Sequence, residues 1–119
     1  MEEEYEREIG IYKKHFTKFY KAQSLIVRRK IDWTIMLIRS MKILPEKFFK
    51  RMVGTDGLWE IRVSADKGIF RIFCFFDEGN LVILLGGFQK KTQKTPRKEI
   101  EKAERLKKEY FKEKESDDE

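Results

Sequence analysis

The sequence predicts an α+β domain: a small, twisted, mainly antiparallel sheet with helices packed on one face and an open basic face. Two segments show helical periodicity, one from about Thr17 to Met41 and one from Pro96 onward. Between them, three apolar runs joined by the short turns SADKG and DEGN predict an antiparallel meander. The 119 residues contain no linker or repeat, which fits a single domain; we expect disordered tails at 1–8 and 113–119.

The first half of the chain combines strand and helix patterns. β-Branched and aromatic residues near 9–16 predict a first strand. Beyond it, apolar residues recur at three- and four-residue steps, which predicts one helix, or two helices broken near 23–24. Pro45 suits a first helical turn and Gly54 a helix terminus, so a short helix with Phe49 turned inward is predicted between them.

Three strands and a helix are predicted in the second half. Apolar and polar residues alternate in 58–64, and the run 68–76 places phenylalanines on both faces. The run 80–88 is apolar on both faces, which is typical of a central strand. Pro96 suits the first turn of the last helix, whose apolar stripe includes Ala103.

Composition favours an anionic partner. The chain has 27 Lys and Arg residues against 21 Asp and Glu, a formal net charge of +6. Nucleic acid is the commonest partner of such a protein, although a basic balance also simply aids solubility. A single cysteine predicts no internal disulfide and a reducing compartment. The acidic N-terminus is unlike a signal peptide, and no apolar run approaches the ~20 residues that span a bilayer, so we expect a cytoplasmic protein without membrane association.

The sequence offers few candidates for a catalytic nucleophile or a metal ligand. Cys74 lies in a phenylalanine-rich strand and His15 is distant in sequence, which favours an inert buried thiol over a Cys/His pair. With one histidine and one cysteine, no metal site is expected. Asp77 and Glu78 adjoin Gly79 and are expected to form a turn.

Cationic side chains remain as candidates for a functional site. The segment 89–98 has five cations and no carboxylate; a solvated loop is the default for a charge run, and the missing acids argue against it. Arg62 and Arg71 lie on neighbouring predicted strands and can project from one face. Because an unpaired buried charge is costly, Arg71 should either form an ion pair with Glu60 or bind phosphate through its guanidinium fork.

Lysine and arginine alone can support RNA cleavage. The 2′-hydroxyl attacks the neighbouring phosphate, and fixed cations stabilise the charge that develops on the phosphate and leaving oxygens. A lysine whose pKa is lowered by neighbouring cations can accept the proton.

Three segments carry a family resemblance: GLWEIRV, GIFRIFCFFD and LVILLGGFQKKTQKTPRKEIEKAERLKKEY. They closely resemble the phage-derived, HigB-like branch of the RelE/ParE toxin superfamily, over about 18–110. The resemblance implies a RelE-like fold and the toxin of a type II toxin–antitoxin module, held inactive by a cognate antitoxin that commonly carries a helix-turn-helix. Many such toxins cleave mRNA on the ribosome without metal or cofactor.

The resemblance also implies site residues. Catalytic roles fall to Arg71, to Arg62 on the preceding strand, and to the basic pair Lys90 and Lys91 after the last strand. RNA-binding roles are expected for four further residues: Gln89, Gln93, Lys94 and Arg97.

Departures from the family pattern keep other functions open. Glu60 stands where a second basic residue is expected, and Gly86 where many relatives have His or Asn. No tyrosine follows Lys91. These departures leave the proton-transfer roles unassigned. The alternatives are a ParE-like toxin that inhibits DNA gyrase without catalysis, and a non-toxic RNA-binding protein.

Overall fold

The computed structural model describes residues 4–117 and confirms the α+β class. Within these residues, five strands and three helices form in the order β1, α1, α2, β2, β3, β4, β5 and α3. Their bounds are Glu8–Ile11 (β1), His15–Lys21 (α1), Leu25–Ser40 (α2), Phe49–Arg51 (β2), Trp59–Ala65 (β3), Gly68–Phe76 (β4), Leu81–Lys90 (β5) and Arg97–Asp117 (α3).

The five strands form one sheet in the order β1-β5-β4-β3-β2. The predicted meander of β3, β4 and β5 is confirmed, and β2 extends it antiparallel to β3. Among the strands of 4–117 only the β1–β5 pair is parallel, so the sheet is mainly antiparallel as predicted. β5 lies between β1 and β4, which agrees with its apolar character on both faces.

Helices cover both faces of the sheet, which corrects the predicted one-sided arrangement. α1 and α2 pack on the face that carries Ile61, Ile72 and Leu84. α3 packs on the opposite face, where Ala103 and Leu106 lie in a cluster with phenylalanines of β4. The reason is the double apolar character of β4 and β5: each strand has hydrophobic side chains on both faces, and both faces must be buried. The open part of the second face is therefore limited to the end that α3 does not cover.

The first half of the chain follows the predicted pattern with shifted boundaries. β1 ends at Ile11, and α1 begins at His15, so the last residues of the predicted strand 9–16 belong to a helix. The predicted helix break is confirmed, because Ser24 begins α2 as an N-cap whose side chain accepts a hydrogen bond from the Val27 amide over 3.3 Å.

The segment after Pro45 was predicted as a short helix and is instead a turn followed by β2. The amides of Phe48 and Phe49 both donate to the Pro45 carbonyl, which closes one turn. From Phe49 the chain pairs with β3, and the Phe49 ring stacks on Trp59 with centroids 4.8 Å apart. Packing on an aromatic neighbour and pairing with a sheet edge outweigh the local helix signal.

A β-bulge in β5 sets the direction of its last residues. Phe73 pairs with Gly86 and Cys74 with Leu84, which leaves Leu85 as an extra residue. The bulge reverses the alternation for the rest of β5, so Lys90 lies on the same face as Leu85.

α3 reaches further than the sequence indicated. It continues through Asp117 and so includes 113–117 of the predicted C-terminal tail. At the other end, the Glu6 amide donates to the carbonyl of Arg39 over 2.7 Å, although 1–8 was predicted as a tail. Residues 1–3 and 118–119 of those predicted tails lie outside the described residues. No helix within 4–117 is long and apolar enough to span a bilayer.

Candidate nucleic-acid interface

The two strand arginines lie directly opposite each other. Arg62 on β3 and Arg71 on β4 are cross-strand partners, as their positions in the sequence predicted, and they share the face that α3 covers in part. Like charges directly opposite each other destabilise a sheet, so this pair needs a compensating anion.

Glu60 supplies a carboxylate between the two arginines. Its Oε1 lies 3.5 Å from Arg62 Nε, and its Oε2 lies 3.8 Å from Arg71 Nε. The predicted ion pair of Arg71 is therefore present, but both distances are long for charge-assisted hydrogen bonds. One carboxylate offsets two guanidinium groups and leaves the cluster positive.

Arg71 is buried, with 6% of its surface exposed. Its Nη1 donates to the Phe70 carbonyl over 3.1 Å, and its Nε makes no hydrogen bond within residues 4–117. Burial and then the charge of Arg62 lower the pKa of the Arg71 guanidinium, whereas Glu60 raises it. Arginine stays charged throughout the physiological range, so Arg71 is a desolvated cation with donor capacity to spare.

The end of β5 brings more cations to Arg71. Arg71, Lys90, Lys91 and Gln93 line a shallow cavity of about 290 Å³, together with Ile69 and Thr92. Lys90 reaches it because the bulge turns this residue to the face of Arg71. Ile69, 45% exposed, marks the side of the cavity that α3 leaves uncovered.

Other residues with expected RNA contacts lie apart from this cavity. Gln89 pairs with Phe70 and so points to the opposite face of the sheet. Lys94 is exposed in the loop, where its carbonyl accepts a hydrogen bond from the Thr92 hydroxyl over 2.7 Å. Arg97 is exposed at the start of α3 and forms an ion pair with Glu101 at 3.1 Å.

The sequence predicted an ion pair between Glu60 and Arg71, and the structure adds that the same carboxylate also contacts Arg62. The signal was available, because Glu60 and Arg62 are two residues apart on a strand and must share a face. Cys74, by contrast, is fully buried, and burial raises the pKa of its thiol, so it has no thiolate to offer. Within 4–117, no three His, Cys, Asp or Glu side chains are grouped as metal ligands.

Most of the chain matches a known protein family. The family described as "Phage derived protein Gp49-like (DUF891)" matches residues 14–108, most of the chain. The chain belongs to this family. The predicted phage-derived branch is thereby confirmed. No curated protein sequence matches this Gp49-like chain.

A solved structure shows the same fold. The Gp49-like chain is similar to a chain of the archaeal RelE–RelB complex from Pyrococcus horikoshii OT3, with a TM-score of 0.51 and 18% sequence identity. The similarity covers 69% of this chain and 92% of that chain. The predicted RelE-like fold is confirmed.

Proposed function

We propose that this Gp49-like protein is the toxin of a type II toxin–antitoxin module and a ribosome-dependent mRNA endoribonuclease. Its family and its RelE-like fold support the toxin assignment. The observation that carries the nuclease assignment is the juxtaposition of the buried Arg71 with Lys90 and Lys91 in one cavity, beside Arg62. A cavity with three cations and no carboxylate among its six lining residues suits a phosphodiester.

In the proposed reaction, the cations bind the scissile phosphate and stabilise its transition state. The 2′-hydroxyl attacks the adjacent phosphorus, a cyclic phosphate forms, and the bond to the 5′-oxygen of the next nucleotide breaks. Arg71 lines the cavity and its guanidinium is held in place by the bond from Nη1 to the Phe70 carbonyl, so it donates to the non-bridging oxygens at little reorganisation cost. Arg62, Lys90 and Lys91 add positive charge around the same group.

The two proton transfers require an acceptor and a donor. Glu60 is the carboxylate within ion-pair distance of both arginines, and we assign to it the proton of the attacking 2′-hydroxyl. Lys90 or Lys91 then protonates the leaving 5′-oxygen. The more exposed Gln93 and Lys94 contact the flanking RNA backbone.

The proposed partner follows from the module. The solved relative is a RelE–RelB complex, and we propose that this chain likewise binds a cognate antitoxin, of the helix-turn-helix type. The expected cytoplasmic location agrees with a ribosomal substrate.

The deciding experiment compares wild type, Arg71→Ala and Lys91→Ala. Each is induced in cells and also added as purified protein to translating ribosomes, and transcript 5′ ends are mapped. Wild type should cut mRNA in phase with codons, and Arg71→Ala should reduce the cleavage rate about 100- to 1,000-fold, as loss of a transition-state donor does. Arg51→Ala is the matched control, an exposed arginine on the edge strand β2.

The other outcomes overturn the proposal. Growth arrest with DNA damage and intact transcripts would identify a gyrase inhibitor. Salt-sensitive RNA binding without cuts on ribosomes would identify a non-toxic RNA-binding protein. If Arg71→Ala and Lys91→Ala both remain fully toxic, the cavity is not the active site.

A further inference from the structure

A second, larger cleft lies on the same side of the molecule, between α1, β5 and the first half of α3. Its volume is about 360 Å³, within the roughly 300–1,000 Å³ typical of ligand pockets. Gly86 and Gly87 form its floor. β1 pairs with β5 over Leu81–Leu84, and beyond that stretch α1 lies beside β5 in place of a strand. The cleft therefore opens where the parallel strand pairing ends.

Aromatic rings form much of the wall. Phe19 from α1, Phe73 from β4 and Phe88 from β5 all line the cleft. Phe73 and Phe88 meet edge to face, with ring centroids 5.4 Å apart. Aromatic rings beside a backbone floor suit a flat, polarisable group such as a nucleobase.

The rim carries hydrogen-bonding groups and positive charge. His15 and Lys18 line the cleft from α1, and Lys102 lines it from α3. Burial and the charges of Lys102, Lys13 and Lys18 lower the pKa of His15, in spite of Glu109. His15 is thus neutral near pH 7 and offers one donor and one acceptor. Gln23 is held by a bond from its Nε2 to the Phe19 carbonyl, which leaves its side-chain oxygen as an acceptor.

The cleft and the arginine cavity are lined by different residues that are neighbours on the sheet. Phe88, in the wall of the cleft, is the direct cross-strand partner of Arg71, and Phe73 is two residues from Arg71 on the same face of β4. Two strand residues span about 7 Å. A phosphate at Arg71 and a base beside Phe73 or Phe88 can therefore belong to the same stretch of RNA.

We propose that this cleft binds a single nucleobase of the RNA chain whose phosphate lies at Arg71. The base stacks against the Phe19 and Phe88 rings, His15 and Gln23 contact its edge, and Lys18 and Lys102 attract the adjoining backbone. This inference rests on the proposed function for its substrate class, RNA. The acidic Glu99 also lines the cleft, so two lysines leave its rim net positive.

Binding can be tested on the free protein, without ribosomes. Backbone amide spectra are recorded while each ribonucleoside 5′-monophosphate is added, with ribose 5-phosphate as the base-free probe. We expect saturable shifts at Gly86, Gly87 and Ala103 with at least one nucleotide, and none there with ribose 5-phosphate. Ala22→Trp places a ring at the exposed mouth of the cleft and should weaken binding about tenfold or more, as blocking one base-stacking site does.

Two matched controls separate a local effect from a general one. Lys21→Trp adds the same ring to α1 outside the cleft and should leave binding unchanged. Lys102→Glu should weaken binding several-fold more than Arg105→Glu, an equal charge change on an exposed α3 residue outside the cleft.

The outcomes separate this proposal from the function proposed above. If no nucleotide shifts the glycine amides, or ribose 5-phosphate shifts them equally, the base site is overturned even when Arg71→Ala abolishes cleavage. If Ala22→Trp blocks antitoxin binding and leaves the nucleotide shifts intact, the cleft is a protein-docking site and the proposal also fails. Nucleotide binding in the cleft without ribosomal cleavage keeps the base site and refutes the nuclease.

Discussion

At the scale of single residues, the central feature is a carboxylate shared by two arginines. Arg62 and Arg71 repel each other across β3 and β4, and Glu60 is held at 3.5 and 3.8 Å from their Nε atoms. An ion pair and a phosphate site are thus compatible interpretations of the same residues. A bound phosphate can neutralise part of the arginine charge that Glu60 balances in the free protein.

Glu60→Gln tests this shared role. The substitution keeps the shape and removes the charge, so the unfolding free energy should fall by about 1–3 kcal/mol, as for a buried group left without its partner. Phosphate or sulfate should restore more stability to Glu60→Gln than it adds to wild type, because an anion that binds the native state stabilises it. Urea denaturation with and without the anion measures both effects.

Glu46→Gln is the control for that substitution. Glu46 is exposed, and its carbonyl rather than its side chain contacts Arg62, so stability should change by less than about 0.5 kcal/mol. Equal stability of Glu60→Gln and wild type in the absence of anions would show that Glu60 does not balance the arginines.

The sequence predicted part of this cluster and missed part of it. Alternation along the strands placed Arg62 and Arg71 on one face, and the structure confirms that placement. Gln89 points away because of the bulge at Leu85, which follows from backbone pairing between two strands. No pattern within 81–90 reports such a long-range property.

At the scale of elements, α3 is attached to the β4–β5 turn by an ionic cluster. Asp77, predicted only as a turn former, accepts hydrogen bonds from the Tyr110 hydroxyl at 2.5 Å and from Lys114 Nζ at 3.0 Å. Burial would raise the pKa of Asp77, but the bonds from Tyr110 and Lys114 outweigh it and hold the pKa below 3.8. Hydrogen bonds to Asp77 and then to Glu78 raise the pKa of Lys114 to about 12.

The pH dependence of stability follows from the lowered pKa of Asp77. A carboxylate with a depressed native pKa contributes stability above its unfolded pKa of 3.8, and that stability is lost as the pH falls through the native value. Asp77→Asn should therefore lower stability at pH 6 and reduce the loss between pH 6 and pH 3. Urea denaturation from pH 3 to pH 6 measures the unfolding free energy of both proteins. An unchanged pH profile in Asp77→Asn would contradict a stabilising role for the Asp77 carboxylate.

The paired glycines of β5 have different roles in positioning α1. A Cβ on Gly87 would lie 2.6 Å from the Phe19 ring, whereas a Cβ on Gly86 would lie 3.3 Å from His15 Cβ. Gly87→Ala should cost about 1–3 kcal/mol of stability, as overpacking does, and shift α1 resonances. Gly86→Ala is the matched comparison and should cost clearly less. Equal costs for the two variants would argue against close packing of α1 on β5.

Element types were predictable where the hydrophobic pattern was long. The meander and both long helices follow from periodicity, and the structure confirms them. β2 was mistaken for a helix because its three residues are stabilised by Trp59 and the edge of β3, contacts that a local pattern does not contain. The position of α3 was missed for a similar reason, since apolar residues on both strand faces require cover from both sides.

At the scale of the whole molecule, the net charge of +6 should govern RNA association. The logarithm of the RNA-binding constant should fall linearly with the logarithm of the salt concentration. For single-stranded RNA, the magnitude of this slope should decrease by about 0.7 for each phosphate contact removed. Lys91→Ala should reduce the slope by about that amount, because Lys91 lies at the cavity. Fluorescence anisotropy over a range of salt concentrations measures it.

Lys21→Ala provides the comparison for the salt series. It removes the same charge from exposed α1, remote in sequence from the cavity, and should leave the slope unchanged while it lowers affinity slightly. Equal slopes for wild type and Lys91→Ala would mean that RNA binds elsewhere on the surface.

The extra residue in β5 shifts the position of Lys90 along the chain relative to its position on the sheet. Excision of Leu85 would join Leu84 to Gly86, whose partners Cys74 and Phe73 are already adjacent on β4. The bulge would disappear, and Gln89 and Lys90 would keep their faces. A relative that lacks the extra residue therefore has the counterpart of Lys90 one place earlier, counted from the start of the strand, and on the same face of the sheet. Strand length between residues 81 and 90 is therefore as informative about relatives of this protein as the identity of their basic residues.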